Sequence, residues 1–189
     1  MQTIRNLFSY LKYYFKSKTK YQIHSPFVFE IVTKVIKQKT FIEDIRKICY
    51  NQSKFNKYER LVFRLYHFLN VKTVRSIGKP SKLTKSLQNL YLKKDLNQKR
   101  LKEKATIDMI IINPISINNN PKFELEIFLK KCHNNSVIII ENKQLEKPTF
   151  KLWQHLKNHP RTSVSIDIFK IGLIFIRKEQ AKEHFMIRF

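Results

Sequence analysis

Hydrophobic positions recur at helical intervals over the first seventy residues and gather into short runs thereafter. Ile4, Leu7, Phe8, Leu11, Tyr14 and Phe15 return every three or four residues, so the spacing predicts an amphipathic helix over 4–17. Arg5, Lys12 and Lys16 fall largely off that stripe. Packing of the stripe on the domain body is the commoner fate of such a helix; docking on a membrane surface is the other. Ser25 followed by Pro26 signals a second helix start. The hydroxyl can accept an orphan backbone N–H, and proline at the first helical position removes no needed donor. That helix runs to about residue 37 with Phe27, Ile31 and Val35 along one face. A third, over 54–69, buries Phe55, Leu61, Val62, Leu65, Phe68 and Leu69.

The pattern then changes. Residues 71–77 form a short β-branched stretch ending at Gly78, and 107–112 and 136–140 are continuous apolar runs. Runs of this kind imply burial on both faces, as in a parallel sheet covered by helices. Helices are expected between them, over 81–92, over 121–131 with Asn120 as cap, and over 148–158 with Phe150, Leu152, Trp153 and Leu156. The strands expected at 162–169 and 171–177 are so close that they must form an antiparallel hairpin, with Gly172 near its turn. Strand–helix alternation ending in a hairpin is an α/β sheet. The charge-rich stretch 93–104 reads as a solvated connector, and no internal repeat is present. Two parts are expected: a helical segment, 1–70, packed on a core domain, 71–189.

Composition sharpens this picture at two points. The chain has 2 glycines in 189 residues, where average usage of roughly 7% would give about 13. With only Gly78 and Gly172 it cannot build a multi-glycine nucleotide cradle. The formal charge is +24. It favours polyanions such as nucleic acid or an anionic membrane, or reflects drift in a chain rich in Lys, Asn, Ile, Phe and Tyr. Lysine far outnumbers arginine, whose fork suits specific phosphate or base contacts better. No apolar run approaches the ~20 residues of a membrane span, and the opening residues show no secretory signal. Cys49 and Cys132 lack any CxxC spacing, so a reduced, cytoplasmic protein without disulfides or a metal site is expected. His24 precedes the Ser25 cap and reads as structural. His155 and His159 share one helical face, but no acid or cysteine partner is visible in sequence, and Pro160 ends that helix. Phosphate-loop, HExxH and GxSxG motifs are absent.

Particular residues carry a family resemblance. His24-Ser25-Pro26-Phe27-Val28 resembles the N-terminal helical portion of a bacterial group of small class I S-adenosylmethionine-dependent methyltransferases. The segments 108–112 and 136–141 resemble that group's fourth and fifth strands, and 171–185 resembles its C-terminus. The resemblance implies a Rossmann-like sheet with an antiparallel final hairpin. Here it would be reduced to about five strands in the order 1-4-5-7-6, in the family's strand numbering, because no apolar run between Leu92 and Ile107 can supply strands two and three. Lys72 and Arg75 would then guard the new edge. The missing strand also disturbs the crossover after the first one. Right-handedness would move its helix to the opposite face, unless the N-terminal helices cover the vacated one.

The same resemblance implies a cofactor, S-adenosylmethionine, held by Gly78, Ser76 and Asn113 at the carboxyl ends of strands one and four. The family's acidic residue is replaced by Ser76, only one glycine of its loop remains, and Pro80 stiffens that loop. The ribose-binding carboxylate has no counterpart. The acidic motifs after strands four and five are replaced by Asn113-Pro114-Ile115-Ser116 and Glu141-Asn142-Lys143, too few carboxylates for an oxygen-ligated metal. Three readings follow. The first is a pseudoenzyme with lost or weakened cofactor binding and a binding or scaffold role toward a protein partner. The second is an active methyltransferase with an atypical pocket, and the third a basic nucleic-acid-binding module. No catalytic residue is assigned.

Overall fold

The computed structural model of the chain describes residues 2–38, 55–95, 106–113, 121–143 and 147–189. Among the described residues, six α-helices and six strands follow one another: α1 (Gln2–Lys16), α2 (Pro26–Ile31), α3 (Lys57–Phe68), β1 (Val74–Ile77), α4 (Lys82–Asp95), β2 (Ile107–Ile112), α5 (Pro121–Lys131), β3 (Cys132–Ile140), α6 (Lys147–Asn158), β4 (Val164–Ile168), β5 (Ile171–Phe175) and β6 (Glu183–Met186). A π-helical turn, Val32–Ile36, continues α2.

Helix starts follow the chemistry of their caps. Ser25 accepts the Val28 N–H ahead of α2, with Pro26 at the first helical position. Asn56 accepts the N–H groups of Tyr58 and Glu59, while the Glu59 carboxylate takes the Asn56 N–H at 2.7 Å, a reciprocal capping box. Ser81 Oγ accepts the Thr84 N–H at the start of α4. Asn120 lies outside the described residues.

The architecture is α/β around one mixed sheet in the order β1-β2-β3-β5-β4-β6. Strands β1, β2 and β3 are parallel, β5 runs antiparallel to both β3 and β4, and β6 is parallel to β4. Strand number and order thus depart from the expected five strands in the order 1-4-5-7-6: there are six, and β6 takes the margin beyond the hairpin. β6 reads Glu-His-Phe-Met, without a β-branched residue, and buries only Phe185. Its strand character comes from pairing. The Ser163 carbonyl accepts the Glu183 N–H at 2.8 Å, and the Asp167 carbonyl accepts the Ile187 N–H at 2.9 Å.

That margin is closed by the N-terminal part of the chain. Lys18 donates its N–H to the Met186 carbonyl at 2.7 Å and bridges Ile187, and the Tyr13 hydroxyl donates to the Ile187 carbonyl. At the other margin, among the described residues, β1 is unpaired on one side, with Lys72 and Arg75 exposed, charges that discourage edge-to-edge association.

Two cores sandwich the sheet. On one face α2, α3 and α4 place Val28, Ile31, Leu61, Leu65, Leu83 and Leu87 against Met109, Ile111, Val137, Ile139 and Leu173. On the other, Leu125 and Leu129 of α5 and Leu152, Trp153 and Leu156 of α6 meet Ile110, Ile112, Ile138, Ile140 and Ile174. Alternate residues of each strand divide between the faces, as a pleated strand requires. Helix α4 therefore lies with α2 and α3, opposite α5. The successive steps β1 to β2 and β2 to β3 move in one direction across the sheet but carry helices on opposite faces, which a uniform right-handed rule would not place there. Burial of Leu83 and Leu87 on the face of α2 and α3 sets this arrangement.

Gly172 stands within β5 beside the hairpin turn, as expected, and the positive φ of that turn, 64°, falls on Phe169. A Cβ at Gly172 would come 2.5 Å from Trp153 Cε3, so close approach of the indole is what this glycine serves. One further expectation changes, because the first helix does not bury its stripe. Leu7, Phe8, Leu11 and Phe15 are 57%, 68%, 41% and 79% exposed, whereas Tyr13, outside the stripe, is buried. Among the described residues no helix is long and apolar enough to cross a membrane.

Candidate functional site

Ligands of open α/β sheets bind beyond the carboxyl ends of parallel strands, so the ends of β1, β2 and β3 are where function is sought. Gly78, Asn113 and Glu141 follow those strands directly, and the ladder holds them side by side. The Asn113 N–H bonds the Ile77 carbonyl and the Glu141 N–H bonds the Ile112 carbonyl, both at 2.9 Å. Gly78 has φ 83°, a conformation that glycine adopts without strain, and the chain turns there toward α4.

None of the three residues named from sequence lines either of the two cavities described among these residues. Ser76 accepts a hydrogen bond from Gln88 Nε2 of α4 at 3.2 Å, so the crossover helix already engages its hydroxyl. Asn113 is wholly buried. Its amide nitrogen lies 3.1 Å from the Thr84 hydroxyl oxygen and donates to Glu141 Oε2. Thr84, also wholly buried, stands 3.1 Å from Ser81 Oγ. Ser81, Thr84, Asn113 and Glu141 thus form one polar chain across the strand ends. Burial raises the Glu141 carboxyl above its ordinary range; hydrogen bonds from Ser81 and Asn113 pull it back, and the Glu59 charge adds to the rise. Satisfied networks of this kind rigidify a site. The continuation 114–116 lies outside the described residues.

A cavity of 280 Å³ opens beside Glu141. It is bounded by Asn56, Lys57 and Glu59 at the start of α3, by Ser81, by Glu141 and Asn142, and by Lys170 and Ile171 of the hairpin. Gly78, Ser76 and Asn113 are not in its wall. Two carboxylates, two ammonium groups, the Tyr58 ring and the Ile171 side chain share this wall.

One residue past Asn142, Lys143 is 1% exposed and pairs with Asp167 Oδ2 of β4 at 3.0 Å, against the Trp153 ring. Burial pulls the Lys143 ammonium below its usual range while Asp167 pushes it back up. Lys143 reads in sequence as the interruption of an acid pair. The signal for its role is Asp167, the single carboxylate in β4, set between Ile166 and Ile168.

The amino end of β3 holds a larger cavity, 590 Å³, with Arg161, Arg177, Lys178, Lys182 and His133 in its wall. Arg161 donates to the Leu129 and Cys132 carbonyls, and Lys182 to the Asn158 and His159 carbonyls at 2.9 and 3.1 Å. These cations therefore satisfy the carbonyl ends of α5 and α6. Cys132, in the same wall, has its thiol pushed up to about 11 by burial. It is not a reactive thiolate at neutral pH.

His24 is exposed ahead of α2. His155 and His159 do acquire an acid partner that sequence spacing hides: Glu126 of α5 lies 3.6 and 3.8 Å from their Nε2 atoms. Among the described residues, however, no group of three or more His, Cys, Asp or Glu is placed to hold a metal ion. No protein-family model matches this chain, and no curated protein is significantly similar to it.

Proposed function

We propose that this protein is a shortened class I methyltransferase-like domain whose cofactor crevice is filled by its own side chains, acting as a non-catalytic binding or scaffold protein in the cytoplasm. One observation carries the reading. Asn113, the residue that would face S-adenosylmethionine from the second strand, is wholly buried and bonded to Thr84 and Glu141. A ligand entering there would have to break a satisfied buried network, at roughly 1–3 kcal/mol for each polar group left unpaired. Ser76 held by Gln88 and the scarcity of glycine point the same way. Calorimetric titration of the purified protein with S-adenosylmethionine and with its demethylated product is expected to give no binding heat. Micromolar affinity for either would reject this reading and restore that of an active enzyme with an atypical pocket.

The net charge of +24 supports a second, compatible reading, contact with nucleic acid through the lysine-rich surface. Its signature is an affinity that falls steeply between low and physiological salt, with a log–log slope of several units. A flat response would remove it.

A further inference from the structure

Helix α1 has three sectors, and among the described residues only one of them meets the body of the molecule. Tyr13 is buried, donates its hydroxyl to the Ile187 carbonyl and lies against Phe169 at 5.3 Å between ring centroids. Ser17, one turn on, is buried beside it. Across the helix, Leu7, Phe8, Leu11 and Phe15 form a continuous apolar stripe open to solvent. Lys12 and Lys16 are exposed along one border of that stripe. An anchored helix that turns its apolar stripe outward is the reverse of what packing on the body would produce.

We infer that α1 is a docking element for an anionic lipid bilayer, lying flat in the interface with this stripe among the acyl chains. Charge argues for that occupant. Residues 1–29 contain no Asp or Glu, so nothing on this stretch repels an anionic surface, while Lys12, Lys16 and Lys18 attract it. A second copy of the chain is the poorer fit. It would bring like-charged lysine borders together in a molecule of net charge +24. Even at the ~200 Å² of a large aromatic each, four partly exposed side chains stay well under the ~800 Å² per partner of a stable dimer. A bilayer needs no such area, because apolar insertion and charge act together.

The test uses the full chain and phosphatidylcholine vesicles with and without phosphatidylserine. Binding to the anionic vesicles is expected, with much weaker binding to phosphatidylcholine alone. Phe8→Ser with Phe15→Ser, which removes apolar groups at exposed positions and leaves every charge in place, should weaken binding at least tenfold. Lys12→Glu with Lys16→Glu should weaken it by more than the roughly fivefold expected for loss of a single lysine. Phe15→Trp should show a blue-shifted emission on anionic vesicles, against the constant background of buried Trp153. Circular dichroism of each variant checks that the fold survives. The proposal fails if the full chain ignores anionic vesicles, or if the double serine variant binds as well as the parent, which would leave only unspecific charge. It fails equally if sedimentation shows a dimer that this variant dissolves.

Discussion

A methyl group at Gly172 would meet Trp153 Cε3 and Cζ3 at 2.5 Å, a distance that real side chains do not tolerate. The indole is 2% exposed, and Lys143 lies 5.5 Å over its ring, so it has nowhere to retreat. Gly172→Ala is expected to cost about 1–3 kcal/mol by overpacking. Trp153→Leu in the same chain should recover part of that loss, and the two changes should be strongly non-additive. Urea unfolding of the parent, both single variants and the double variant measures the coupling; simple additivity would mean that the glycine serves something other than the indole. Only a neighbour in space explains this residue. The sequence places it near a turn, as it is, but the positive φ of that turn, 64°, is held by Phe169.

Among the elements, one carboxylate ties three strand starts together. Asp108 Oδ2 accepts the N–H groups of Lys72 and Thr73 ahead of β1 at 2.7 and 2.8 Å, and Oδ1 meets His133 Nε2 of β3 at 2.6 Å. Burial works to raise this carboxyl, but the bonds from His133 and the two backbone groups outweigh it and hold it below the usual range. A depressed carboxyl contributes stability that is complete above its unfolded value, about 3.9, and is lost as pH falls through the folded one. Asp108→Asn should therefore lower stability by about 1.5–3 kcal/mol at neutral pH, the range for hydrogen bonds to a charged group. The gap from the parent should close in acid. Denaturant midpoints at neutral and acidic pH check it, and a gap that widened in acid would contradict the assignment. At this scale the apolar runs were legible, because two-sided burial leaves an uninterrupted signature: β2 occupies the run at 107–112. β6 was not legible, since its four residues carry no such run and owe their strand character to partners on β4. The exposed stripe of α1 was hidden for a related reason. Periodicity tells that a helix has an apolar side but not what that side faces. At the strand ends, the place of Asn113 was readable, while Thr84 and Glu141, which close over it, sit 29 and 28 residues away in sequence.

For the molecule as a whole, a net charge of +24 on 189 residues works against compactness, because the folded state draws like charges together. Screening should relieve this. Raising ionic strength shortens the Debye length from about 30 Å at 0.01 M to about 8 Å at 0.15 M, so the melting temperature should rise over that interval. An increase of about 2–4 °C would correspond to roughly 1 kcal/mol for a chain of this size. Differential scanning calorimetry across a sodium chloride series checks it, and a fall would show that specific ion pairs such as Lys143–Asp167 outweigh the general repulsion.

The pairing of Tyr13 and Lys18 with residues 186–188 has a temporal consequence. On the ribosome, α1 emerges before its partner, since its anchoring carbonyl at Ile187 is made 174 residues later. Until then the nascent chain displays a greasy, cationic helix with no place to settle, and β4 keeps a bare flank. Final closure is thus a long-range, late event, of the kind that slows folding. Whatever α1 touches in the cell, it can touch before residues 186–188 exist to hold it.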